Sequence, residues 1–228
     1  MLHLQRQISK LTQQFASLGT LVEEAVHASI HAIEHRDVAR AEKIIEEDKA
    51  IDLMEVDVEE ECLHTLALHQ PVANDLRFVV AVLKINNELE RIGDLAKSIA
   101  QQALYLAQQS EVAVVPFDLG GMSRVVESML RKSLDSLIEL DVDKAREVRA
   151  MDDQVDEIHA GMHDRVTRAM HENPEQIDQL THLMSVSRLL ERIADHAVNI
   201  AKDVIYMAEG EIVRHTKTRA EAARKNQD

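Results

Sequence analysis

Residues Glu88–Ala96 read ELERIGDLA, and 101 positions later Leu189–Ala197 read LLERIADHA. Each copy carries a Glu four residues before an Asp: Glu90 and Asp94, then Glu191 and Asp195. On a helix that spacing stacks the two acids on one face. The likeness extends outward. Leu89, Ile92, Ala96, Ile99, Ala100, Tyr105 and Ala107 all recur at the same offset. Further upstream, Asp37, Val38, Ala41, Asp48 and Asp52 recur 104 positions later as Asp141, Val142, Ala145, Asp152 and Asp156. The slip from 104 to 101 falls between these blocks, where a change of loop length costs little. The chain is therefore a tandem duplication.

Composition sets the class of fold. Of 228 residues, 45% are hydrophobic but only 2% aromatic, so Leu, Ile, Val, Met and Ala must fill the core. These residues suit helix-on-helix packing. With 6 Gly and 3 Pro there are few places to turn, which favours long helices. Apolar periodicity, the caps Asp37 and Asp141, and the breaks at Pro71 and Pro174 predict helices over about 3–34, 37–68, 75–108, 122–139, 142–171 and 176–209. The expected architecture is all-α: two tandem, sequence-related three-helix bundles. The first spans 1–110, a linker 111–121 carries Pro116 and the bend Gly120–Gly121, the second bundle spans 122–212, and 213–228 is a basic tail.

Charge narrows the function. A net charge of −15 repels a phosphate backbone and argues against nucleic acid as a partner. The single cysteine, Cys62, rules out an internal disulfide. The apolar run Phe78–Leu83 is too short to span a bilayer, and the N-terminus has no signal-type core, so a cytoplasmic protein is expected.

Four acid pairs at helical spacing stand in register with the repeat: Asp48/Asp52, Glu90/Asp94, Asp152/Asp156 and Glu191/Asp195. Like charges so placed destabilise a helix by a few tenths of a kcal/mol each. Within each half, both pairs lie about 20 residues from the intervening turn, or ~30 Å along antiparallel helices, so four carboxylates come level. Asp48 and Asp52 share a stripe with Ile44, Ile45, Ile51 and Val56, where a carboxylate needs compensation. Glu90 and Asp94 face away from Ile85, Leu89, Ile92 and Ile99 and read as solvated. A cation held between the helices would compensate; oxygen donors suit Mg²⁺, Mn²⁺, Ca²⁺ or iron. Ion pairing to Arg91 and Arg192 is the simpler alternative. A ferritin-like di-iron enzyme would use the Glu-x-x-His motifs Glu24/His27 and Glu61/His64, but their heights differ by ~20 Å. A metal-free helical adaptor is the other alternative. The rows His27/His31/His35 and His159/His163 read as solvated.

The stretches DKAIDLMEVDVEE, LHQPVANDLRFVVAVLKINNELERIGDLA and LTHLMSVSRLLERIADHAVNIAKDVIYMAEGE resemble the PhoU family of phosphate-transport accessory proteins. The resemblance implies two related three-helix bundles, a homodimer, and metal sites on the eight carboxylates named above. Divalent or iron-type ions (Fe, Mn, Mg or Zn) are then the expected cofactors. It further implies a negative regulator without catalytic turnover. Such a protein couples the ATP-binding subunit of a phosphate ABC transporter to a sensor histidine kinase, and is peripheral to the membrane only through these partners. Asp75-Leu76-Arg77 has no counterpart in the second half, so a partner contact by Arg77 would come from one bundle alone.

Overall fold

The structure is a computed structural model and describes residues 2–109 and 115–210. Residues 111–114 of the expected linker and the basic tail (213–228) lie outside the described residues. Six long helices carry the chain: α1 (Leu2–His35), α2 (Val38–His69), α3 (Ala73–Ala107), α4 (Leu119–Glu139), α5 (Val142–Glu172) and α6 (Ile177–Glu209). A short 3₁₀ turn over Pro174–Gln176 precedes α6. Among the described residues there is no strand.

The boundaries follow from capping chemistry. Asp37 caps α2 by accepting from the Arg40 amide, and Asp141 caps α5 by accepting from the amides of Asp143 and Lys144. Asp118 does the same for α4, accepting from the Gly121 amide at 2.8 Å. That cap starts α4 at Leu119, three residues before the predicted start. Gly120 and Gly121 therefore belong to its first turn and are not a linker bend. A Cβ on Gly121 would meet the Asp118 carboxylate in its present position, so the cap would have to shift to admit a side chain there. Gln70, Leu140 and Gly210 close α2, α4 and α6 in the left-handed conformation, and Pro71 follows the first of these.

Helices α1, α2 and α3 pack on one another, as do α4, α5 and α6. The two bundles join chiefly through α3 and α6, with a smaller contact between α1 and α4. Lys84, Glu88 and Gln102 of α3 meet Asp203, His196 and His182 of α6 respectively, so these equivalent helices run antiparallel. Antiparallel packing of two copies of one helix implies an approximate two-fold relation between the repeats. The interface is both apolar and bonded. Ile92, Ile193, Ala100 and Ala197 are fully buried. His196 Nδ1 lies 2.6 Å from Glu88 Oε2, and the His182 ring stacks on Tyr105 with centroids 3.6 Å apart.

Candidate metal centre

The buried face of α2 runs through Ala41, Ile44, Asp48, Ile51, Val58, Cys62 and Thr65. Asp48 therefore sits in the seam against α3, only 3% exposed. Its compensation comes from the chain itself: Lys97 Nζ of α3 donates to Asp48 Oδ2 at 2.6 Å. Asp52, one position past Ile51 on the wheel, is exposed, and Val56 is 48% exposed, so neither shares the buried stripe as the spacing predicted. The buried face of α2 is narrower than the sequence pattern implied.

On α3 the correction runs the other way. The Glu90 side chain is 24% exposed, so it is not simply solvated; Arg91 Nε lies 3.4 Å from it. Asp94 is 46% exposed and approaches Arg91 at 3.8 Å. Burial, the Asp94 charge and a hydrogen bond with Asp94 raise the Glu90 carboxyl above its ordinary range, although Arg91 opposes them. Asp52 is raised by burial and by the charges of Asp48 and Asp94, with Lys97 opposing. Each of these four acids is thus within electrostatic reach of another, with Asp52 linked to Glu90 and Asp94 across the α2–α3 seam.

The second repeat gathers its acids likewise. Burial and the charges of Asp156 and Asp195 push the Asp152 carboxyl up to about 6. Burial, Asp195 and Asp156 raise Glu191, while His159 opposes. The position equivalent to Lys97 is Val198. Lys202 takes up the opposing role, but reaches Asp152 only through space. The two clusters are thus not equally neutralised. His159 also touches Ser187 Oγ at 3.2 Å and is partly buried, so that end of its row is not solvated.

The donor chemistry of both clusters fits a hard cation, since every candidate ligand is a carboxylate and several hold protons too tightly for free surface acids. As the side chains stand, however, no three His, Cys, Asp or Glu among the described residues group in a way that could hold a metal ion. Ligation would require these carboxylates to turn inward, and in the first cluster to release Lys97. That lysine was invisible to sequence reasoning. It lies on α3 one turn beyond Gly93, at the level where a basic residue can cross to Asp48.

The alternative di-iron motifs do not meet. Glu24 borders a groove between α1 and α2 with Arg40, Lys43 and Glu47, whereas Glu61 borders a separate recess and bonds Lys10 Nζ at 2.5 Å. His27 pairs with Glu127 across the bundles at 2.7 Å, and the partly buried His31 stacks on His35, so this row too is not simply solvated. Arg77 bonds Asn74 Oδ1 and packs against the cap of α6, where a Cβ on Gly210 would strike its guanidinium. It thus closes the end of the helical array, where a cation is favoured beside helix-terminal carbonyls. Among the described residues, no helix is long and apolar enough to cross a membrane.

Comparison with known proteins agrees with this architecture. The model of the PhoU domain matches residues 15–103 and again 119–204, one match per bundle. A phosphate-specific transport system accessory protein PhoU homolog from Aquifex aeolicus is 38% identical over 211 residues, covering 92% of this chain and 95% of the relative. The crystal structure of PhoU from Pseudomonas aeruginosa superposes with a TM-score of 0.88 at 32% identity, covering 91% of this chain and 99% of that one. That of the phosphate transport system regulatory protein PhoU from Streptococcus pneumoniae gives 0.85 at 30% identity, covering 92% and 99%. With both repeats matched along nearly their whole length, the chain belongs to the PhoU family.

Proposed function

We propose that this chain is the regulatory accessory protein of a phosphate-specific transport system. The observation that carries this reading is likeness over both bundles to relatives so named. In this role it acts in the cytoplasm, as a homodimer and without catalytic turnover. It couples the transporter's ATP-binding subunit to a sensor histidine kinase, restrains uptake, and keeps phosphate-starvation genes silent when phosphate is plentiful. The absence of a membrane-length helix among the described residues supports attachment through partners. Expression in a bacterium lacking its own such regulator tests the role. Silence of a phosphate-starvation reporter at high phosphate is expected, and persistent expression overturns it.

As part of the same proposal, Asp48, Asp52, Glu90 and Asp94, and separately Asp152, Asp156, Glu191 and Asp195, hold divalent or iron-type ions. A bound ion would neutralise like charges on two helices and fix α2 against α3, and α5 against α6. What supports this is the gathering of carboxylates whose proton affinities are raised by burial and by one another. The Lys97–Asp48 pair favours a second reading for the first cluster, in which the ammonium is the resident cation and the bundle is a metal-free adaptor. Elemental analysis of purified protein, compared with variants carrying Asn at Asp48 or Asp152, separates the two.

A further inference from the structure

The two repeats fold alike, so each serves as a control for surface features the other does not need. Along α2, Leu53, Val56, Leu63 and Leu68 are 69%, 48%, 52% and 64% exposed. Leu53, Val56 and Leu63 fall on one side of the helix, with Glu60 between them. At the equivalent positions of α5 stand Glu157, Ala160, Thr167 and Glu172. The bundle fold thus has no need of large apolar residues at these places, and Leu53, Val56 and Leu63 form an exposed apolar stripe of the kind that marks an interaction site.

Charge distinguishes the same face. From Ala50 to His69, α2 carries the acids Asp52, Glu55, Asp57, Glu59, Glu60 and Glu61 and no Lys or Arg. The matching span of α5 contains Arg165 and Arg168, the former at the position of Glu61. Beside the apolar stripe, Asp57, Glu60, Glu61, Leu63 and His64 border a recess of about 690 Å³ closed on the far side by Lys10 and Gln14 of α1. Glu61 is nine-tenths buried, and its Oε1 has no hydrogen-bond partner among the described residues; nor has Gln14 Oε1. These two oxygens are enclosed and Lys10 already pairs with the other oxygen of Glu61, so the carboxylates exposed at the rim of the recess are those of Asp57 and Glu60.

We propose that this face of α2 docks a basic amphipathic helix of another protein. Leucine-type side chains of that helix would cover Leu53, Val56 and Leu63, and a Lys or Arg would meet the exposed carboxylates of Asp57 and Glu60 at the rim of the recess. Complementary charge selects this occupant over the others. A second copy would set one acid-rich stripe against another. An anionic lipid surface would be repelled. The chain's own terminal segment 211–228 has the basic residues, but Ile212 and Val213 are its only large apolar ones, too few for the stripe. This inference does not depend on metal occupancy.

The test is fluorescence anisotropy of a labelled 18-residue Leu/Lys amphipathic helix titrated with the full chain, beside a scrambled peptide of equal composition. Saturable binding of the helix and weak binding of the scrambled peptide are expected. The double variant Leu53→Ser/Leu63→Ser should weaken binding about tenfold, with helicity by circular dichroism unchanged. The charge variant Asp57→Asn/Glu60→Gln should also weaken it and reduce its salt dependence, while Arg168→Ser on α5 should not. Equal binding of both peptides, or indifference to the α2 substitutions, overturns the proposal. So does a homodimer that dissociates with the stripe variant in sedimentation, or binding that appears only after residues 211–228 are removed. The first assigns the face to a second copy, and the second to the chain's own tail.

Discussion

Gly93 of α3 lies directly against Ile51 of α2, so close that a methyl group on its Cα would stand 3.1 Å from Ile51 Cγ2 and 3.3 Å from Ile51 Cδ1, the atom a valine lacks. In the second repeat the same two positions hold Ala194 and Val155. The methylene lost from the isoleucine reappears as the methyl of the alanine, so the two bundles pack similar volume in two ways.

A double-mutant cycle follows from this exchange. Alanine is intrinsically better than glycine in a helix by roughly 0.5–1 kcal/mol, but Gly93→Ala must push Ile51 aside, so alone it should be neutral or destabilising. Ile51→Val alone should cost about 1 kcal/mol. Together they rebuild the Ala194/Val155 pair, and urea unfolding should show the double variant more stable than Ile51→Val. Strict additivity of the two effects, with Gly93→Ala destabilising, would refute this account of the pairing.

The duplication and the helical class were legible because both rest on local features: apolar period, capping acids, and prolines at the breaks. The levelling of acid pairs was also legible, since helix rise and turn position fix height. What the sequence did not reveal was the neutralisation. Lys97 and Asp48 are 49 positions apart, and nothing in the local pattern marks that lysine as a partner. The exposed α2 stripe was missed for a related reason. Val56 has the right residue type for a core position, and only the direction of the α3 contact shows that it faces out.

Replacing Lys97 with Met removes the ammonium but keeps much of the stem's packing. Asp48 is then left charged in the α2–α3 seam. A cost of about 2 kcal/mol is expected, below that of a fully buried pair because Lys97 is partly exposed. If metal and ammonium compete for these carboxylates, Mn²⁺ should raise the Tm of Lys97→Met more than that of the unmodified chain. Thermal unfolding with and without Mn²⁺ decides this; no difference in the metal response would mean that the first cluster does not take the ion.

Cys62 is fully buried, and burial together with Glu61 and Glu59 pushes its thiol up to about 12. At pH 8 the thiolate fraction is then on the order of 10⁻⁴, and the sulfur is shielded by packing as well. Alkylation by iodoacetamide should proceed only through opening of the first bundle, with a rate that rises steeply in urea. Rapid labelling of the native protein at pH 8 would show that α2 does not keep this thiol in the core.

Asp152 offers a test of the second cluster whose sign depends on metal. Its carboxyl is raised from an ordinary 3.8 to about 6, first by burial and then by Asp156 and Asp195. The folded state thus holds that proton more tightly than the unfolded chain does. The corresponding stability is fully present below about pH 4 and is lost as pH rises through 6. In the presence of chelator, Asp152→Asn should therefore stabilise the protein at pH 7.5 by about 1 kcal/mol, allowing for solvent screening of a partly exposed group. The gain should vanish near pH 4. With saturating Mn²⁺ the ordering should invert, because the unmodified chain gains the binding free energy of an ion that the Asn variant holds less well. Denaturant unfolding at the two pH values, with chelator and with Mn²⁺, provides the four comparisons. A stabilising effect of Asp152→Asn that Mn²⁺ leaves unchanged would show that the cluster is repulsive without being a metal site.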